Sequence, residues 1–173
     1  MKATLEGINR MQAEGVTGQY AIGGAVGATF YLEPSATLDI DIFIALKPPP
    51  GSALVTLAPL FDYLTSRGYR TEHEHVIIEG WPAQFLRAGD ALTEEALREA
   101  VETDVEGVPV RVISAEHLTA IALKAGRPKD FARILQFIES GVLNSVKLDA
   151  ILRQHGLVKK WEEFGVRFLR GGL

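Results

Sequence analysis

Apolar and polar positions follow two rhythms along this chain, one of period two and one of period 3.6, and their order predicts a layered protein. Leu5, Ile8 and Met11 recur at helical spacing near the start. Gln19–Gly23 reads as a strand entering a glycine turn, followed by a helix through Val26–Leu32. The clearest strand is Leu38–Leu46, where Ile40, Ile42 and Ile44 alternate with Asp39, Asp41 and Phe43. Leu54–Arg67 reads as a helix closed by Gly68. Tyr69–Glu79 and Trp81–Leu86 read as two strands joined tightly at Gly80. Thr93–Val101 reads as a helix with Thr93 as N-cap and Glu94 and Glu95 in its first turn, where the helix dipole favours acids. Glu106-Gly107 marks a hairpin turn before a strand at Val108–Ile113. Pro109 has no amide hydrogen and argues that this strand lies at an edge.

From Ser114 onward the rhythm is helical. Ser114 caps a helix over Glu116–Lys124, and Gly126 closes it. Phe131, Ile134, Leu135 and Ile138 form a core-facing stripe ended by Gly141. Two further helices are predicted at Ser145–Gln154 and Val158–Leu169. The expected fold class is α/β (α+β): a mixed β-sheet flanked by helices over residues 1–113, with a helical C-terminal portion over 114–173 packed on the same domain. The main break in the pattern, Lys47-Pro48-Pro49-Pro50-Gly51-Ser52, reads as a rigid surface turn.

Composition narrows the function. A chain of 173 residues, 47% hydrophobic and 23% charged, has enough apolar side chains for a real core. It has no cysteine, which removes disulfides and thiolate metal sites and fits a reducing compartment. A formal net charge of −4 gives no global basic field for nucleic acid, so such contact would need a local patch. No stretch approaches the ~20 apolar residues of a membrane span. The opening MKATLEGINRMQAEG lacks the apolar centre of a signal peptide, and the expected location is cytoplasmic.

The chemistry gathers near the glycine turn and the first long strand. Asp39 and Asp41 are two apart on that strand, so both emerge on one face while Ile40, Ile42 and Ile44 take the other. Their Cα atoms should lie about 6–7 Å apart, where a hard divalent cation such as Mg²⁺ relieves the repulsion between carboxylates. Asp-x-Asp on a strand is also what a solvent-facing strand side looks like. Upstream, Ala21-Ile22-Gly23-Gly24-Ala25-Val26-Gly27 runs from strand through glycine turn to helix. Bare backbone there lets N–H groups approach a phosphate, and a helix start adds a favourable dipole. The glycine spacing is not that of a dinucleotide fold, and no Gly-Lys-Ser/Thr follows.

The combination of strand, Gly23-Gly24 turn, helix and Thr37-Leu38-Asp39-Ile40-Asp41-Ile42-Phe43-Ile44 resembles the DNA polymerase β-like nucleotidyltransferase superfamily. Leu123-Lys124-Ala125-Gly126-Arg127-Pro128-Lys129-Asp130 is similar to the basic segment of its minimal and abortive-infection (AbiE-type) members. The resemblance implies a nucleotidyltransferase-like fold and transfer of NMP from a nucleoside triphosphate to an RNA, protein or small-molecule acceptor. By position, Gly23 and Gly24 would hold phosphates, and Asp39 and Asp41 would hold Mg²⁺ or Mn²⁺. Lys124, Arg127 and Lys129 would contact the triphosphate or an RNA acceptor. They equally suit a helix C-terminus and a solvated turn. The family also places a third carboxylate on a later strand, and here that position is Gln84, whose carbonyl ligates weakly and supplies neither charge nor base. Catalysis with two carboxylates, substitution by Glu79, and a domain that binds nucleotide without turnover all fit this departure. The last would make the chain a regulatory module with an antitoxin-type protein partner.

Other motifs carry less. His73 and His75 would share a strand face, but no third ligand follows at a zinc spacing, and an exposed polar strand is the plainer reading. Trp81 and Trp161 read as core or interface aromatics, and no Gly-x-Ser-x-Gly elbow is present.

Overall fold

The computed structural model describes residues 1–33, 39–46, 48, 51 and 54–169. Thr37 and Leu38, and Lys47, Pro49, Pro50 and Ser52 of the proline segment, lie outside the described residues. Alternation of period two builds the sheet. Its strands are β1 (Tyr20–Ile22), β2 (Ile40–Ile44), β3 (Arg70–Glu72), β4 (His75–Ile78), β5 (Trp81–Arg87), β6 (Val101–Val105) and β7 (Val108–Val112). Among the described residues they form one mixed sheet in the order β3-β4-β5-β2-β1-β7-β6. The central β2 runs antiparallel to β1 and parallel to β5.

One face of this sheet is the core. Ile40, Ile42 and Ile44 lie there with Ile22, Ala83 and Val76, all at most 1% exposed. Helix α1 (Lys2–Ala13) closes it with Leu5, Ile8 and Met11, and α3 (Ala58–Ser66) with Leu60 and Leu64. Full burial of a Leu or Ile side chain is worth about 1.5–3 kcal/mol, so a one-residue slip of β2 would forfeit several such contributions. That penalty holds the alternate residues, Asp39 and Asp41, on the opposite face.

Several local expectations are corrected. Residues 69–79 are not one strand: they break at His73-Glu74 into the antiparallel pair β3 and β4, with His73 at φ 57. The next helix, α4 (Ala91–Arg98), starts earlier than expected. Its N-cap is Asp90, whose carboxylate accepts the Thr93 N–H at 2.9 Å, so Thr93 is the inner partner of a capping box. It also ends earlier, and Val101 opens β6, a strand the sequence reading missed. With β6 in place, β7 is internal and β6 is the edge. Pro109 is tolerated because it pairs with Asp104, one step from the two-residue turn, where the nitrogen faces away from β6. On its other side β1 meets β7 only at Val112, and the Pro109 carbonyl accepts from the Asn9 side chain at 2.8 Å. Helix α3 begins at Ala58 rather than Leu54, and the helix after the glycine turn, α2, covers only Gly24–Ala28.

The chain divides into two compact units, Met1–Ile113 and Ser114–Leu173. The second holds α5 (Ala115–Ala125), α6 (Pro128–Ser140), α7 (Ser145–Gln154) and α8 (Val158–Phe164), continued by a π-helical turn at Gly165–Leu169. Ser114 caps α5, and Gly126 and Gly141 end α5 and α6 in the left-handed region at φ 69 and 68. α6 buries Ile134 and Phe137, whereas Phe131, Leu135 and Ile138 of the expected stripe are half-buried. The stripe is turned so that Phe131 meets Phe164 and Phe168, with ring centres 5.8 and 5.2 Å away. Buried Glu116 accepts the Asn144 N–H at 2.9 Å and so ties α5 to the start of α7. Among the described residues, no helix is long and apolar enough to cross a membrane.

Candidate functional site

The polar face of β2 collects the acids. Asp39 stands just before the strand and Asp41 within it, both half-buried, while Phe43 at the next position of that face is buried. In the parallel pairing of β2 with β5, Asp41 lies opposite Gln84. Neighbouring strands are about 4.8 Å apart, so the Gln84 side chain rises beside that of Asp41 on the same face. Next in the sheet comes β4, where Ile77 is opposite Pro82. His75, two residues from Ile77, therefore shares the face of Pro82 and Gln84. Its Nε2 is 3.3 Å from Asp39 Oδ2, with the two side chains 24% and 39% exposed, open enough to be reached from solvent. Asp39, Asp41, Gln84 and His75 thus stand on one face of three neighbouring strands, with Asp39 and His75 in contact. Glu72 is opposite His75 on β3, but three strand spacings, about 14 Å, separate it from Asp41.

The glycine turn packs against the same group. Gly24 has φ 56, and a Cβ there would fall on Asp41 Oδ2. A Cβ on Gly23 would run into the Phe43 ring and approach Ile113. Both glycines are therefore required by close approach, and at Gly24 also by the left-handed backbone. The Gly23 N–H donates to the Asp41 carbonyl at 2.9 Å, and the Gly23 carbonyl accepts from Gly27 at 2.7 Å. Glu79 lies in the turn between β4 and β5 at φ 50, where its carboxylate accepts from the Tyr69 hydroxyl at 3.0 Å. It is not on the Asp41–Gln84 row.

Lys124, Arg127 and Lys129 belong to the second unit, at the corner between α5 and α6. Arg127 is fastened to buried Asp130, with its Nε 2.6 Å from the carboxylate, and Asp130 in turn accepts the Arg127 backbone N–H. The Lys124 carbonyl accepts from Lys160 Nζ at 3.1 Å. Lys124 and Lys129 are exposed.

Solved structures align with the chain over almost its whole length. The solution structure of the antibiotic-resistance factor ANT(2'')-Ia has a TM-score of 0.52 at 16% identity, covering 94% of this chain and 96% of that one. The crystal structure of ANT(2'')-Ia in complex with adenylyl-2''-tobramycin has a TM-score of 0.54 at 17% identity, covering 92% and 98%. An antigenic nucleotidyltransferase-like protein from Paracoccidioides brasiliensis has a TM-score of 0.54 at 16% identity, covering 95% and 91%. The chain has a nucleotidyltransferase fold. No family model and no curated protein matches it in sequence, and at 16–17% identity the likeness is one of fold.

On this nucleotidyltransferase fold, one sheet face carries two carboxylates, an amide carbonyl and an imidazole, donor types that a divalent cation accepts, with Asp39 and His75 in contact and the Asp41 carboxylate beside Gly24. The sequence reading did not place His75, because it paired that residue with His73 on one strand face. His73 sits instead in the β3–β4 turn. Splitting the segment at His73-Glu74 takes His73 out of the strand and leaves His75 at the start of β4, and no Gly or Pro announces that turn.

Proposed function

We propose that this chain transfers a nucleoside monophosphate from a nucleoside triphosphate to an acceptor, with Mg²⁺ or Mn²⁺ held by Asp39 and Asp41. The observation that carries this reading is the pairing of Asp39 and Asp41 on the polar face of β2, against the Gly23-Gly24 turn, in a nucleotidyltransferase fold. When bound, the cation supplies positive charge for the transferring phosphoryl oxygens and for the leaving pyrophosphate. Asp39 and Asp41 position it, and the Gly23-Gly24 turn beside Asp41 is the element that would hold phosphate. The acceptor is an RNA, a protein or a small molecule; the adenylyl-2''-tobramycin in the ANT(2'')-Ia crystal structure favours a small molecule among these.

Gln84 favours a second reading. With a neutral amide where a third acid would stand, the domain binds the triphosphate without transfer and acts as a regulatory module, with an antitoxin-type partner. One experiment addresses both. The protein is incubated with each α-labelled nucleoside triphosphate and Mg²⁺ or Mn²⁺, against cellular RNA, cellular protein and an aminoglycoside panel. Transfer by the wild type that is lost in Asp41→Asn supports the enzyme. A metal-dependent, triphosphate-dependent rise in melting temperature without transfer supports the binding module. If neither response occurs, both readings fall.

A further inference from the structure

The row that starts at Asp41 continues through an amide to an imidazole, and this sets the character of the site. We propose that His75 is a ligand of the cation held by Asp39 and Asp41, and that it gives this site a preference for Mn²⁺ over Mg²⁺. The inference rests on the reading of Asp39 and Asp41 as the cation-binding pair. Two adjacent ligands of an octahedral ion, each about 2.1 Å from it, lie about 3 Å apart. His75 Nε2 and Asp39 Oδ2 are 3.3 Å apart, so a small closing movement brings both into one coordination shell.

The backbone holds the imidazole in place for this role. The core-facing residues of β4, Val76 and Ile78, are each 1% exposed, and Val76, next to His75, is paired with Ala83 on one side and Thr71 on the other. His75 is therefore carried on an anchored internal strand, not on the turn that holds His73. Between Asp41 and His75 the row carries no further acid. Gln84 is neutral, Glu79 is engaged by Tyr69 in its turn, and Glu72 is one strand further out than His75. The resulting set has two carboxylates, one amide carbonyl and one imidazole. An all-oxygen set serves Mg²⁺ well, whereas an imidazole nitrogen raises affinity for Mn²⁺ and later transition ions relative to Mg²⁺.

The test uses the full chain and the metal ions alone. Electron spin-echo spectra of the Mn²⁺-loaded wild type should show nitrogen hyperfine coupling. Of the four histidines in the chain, only His75, when changed to Asn, should abolish that coupling. Titration followed by the free-Mn²⁺ resonance, with Mg²⁺ as competitor, should show Mn²⁺ affinity falling about tenfold in His75→Asn and Mg²⁺ affinity changing less than about threefold. His75→Gln serves as a second variant, and the coupling in the wild type needs no variant at all. Mn²⁺ that binds, is lost in Asp41→Asn, but shows no nitrogen coupling overturns the role of His75 and leaves the aspartate reading standing. Mn²⁺ binding that is absent, or indifferent to Asp41→Asn, overturns the aspartate reading and this inference with it.

Discussion

Replacing Gln84 by aspartate puts a third carboxylate one strand away from Asp41. Strand spacing sets the separation of the two charges at about 5 Å, where the repulsion is about 3 kcal/mol at an effective dielectric of about 20 and under about 1 kcal/mol in bulk water. Both positions are half-buried, so a loss of about 1–2 kcal/mol is expected in the absence of metal. For a chain of this size that lowers the melting temperature by about 2–8 °C. Gln84→Asn, which removes a methylene but adds no charge, should not show that loss. The assay is thermal melting of wild type, Gln84→Asp and Gln84→Asn, each with and without Mn²⁺. Metal should return Gln84→Asp to or above the wild-type value, because the repulsion it relieves is the repulsion the mutation introduced. If a third acid also takes up the acceptor proton, transfer should rise about a hundredfold or more. Identical melting of Gln84→Asp and Gln84→Asn without metal, and an unchanged response to Mn²⁺, would refute the placement of Gln84 beside Asp41.

Two further outcomes test the packing beside the site and in the core. Gly24→Ala should lose about 1–3 kcal/mol from its left-handed backbone, plus a clash with the Asp41 side chain; in urea denaturation, adding Asp41→Ala should recover the carboxylate part of the clash but neither the backbone strain nor the 2.9 Å approach of the residue 41 Cβ, and strictly additive losses would show that the two residues do not touch. Tyr20 donates to Asn9 Oδ1 at 2.7 Å, and burial pushes its pKa up to about 12, against a smaller opposing effect of Arg111. Its folded pKa is above the unfolded value of about 10, so the stabilisation is whole below pH ~10 and is lost as pH rises through ~12. Tyr20→Phe should be about 1 kcal/mol less stable at pH 8, with the gap closing between pH ~10 and ~12; a constant gap across that range would count against the buried hydroxyl.

What the sequence alone determined was local. The alternation of Ile40, Ile42 and Ile44 with Asp39 and Asp41 is a property of one extended segment, so the division of β2 into an apolar and an acidic face could be read without a partner strand. The same holds for Ser114 as a cap, and for Gly126 and Gly141 as helix ends, because a cap bonds within a few residues of itself. Other features depended on distant pairing. The turn at His73-Glu74 is built from ordinary residues and forms because β3 and β4 pair with each other and β4 pairs with β5. Val101-Glu102-Thr103-Asp104-Val105 becomes a strand through its pairing with β7, and that pairing also moves Pro109 from the edge to the interior of the sheet. In α6 the second unit selects Phe137 rather than Phe131 for full burial, a choice of about one helical step that the apolar spacing left open. The site shows the division most sharply. Two aspartates two residues apart could be seen in the chain, but their neighbours Gln84 and His75 are 43 and 36 residues away from Asp41 and Asp39. Only the register of β2, β5 and β4 brings them onto one face, because a strand's own pattern says which side a residue takes and not which residue will stand opposite.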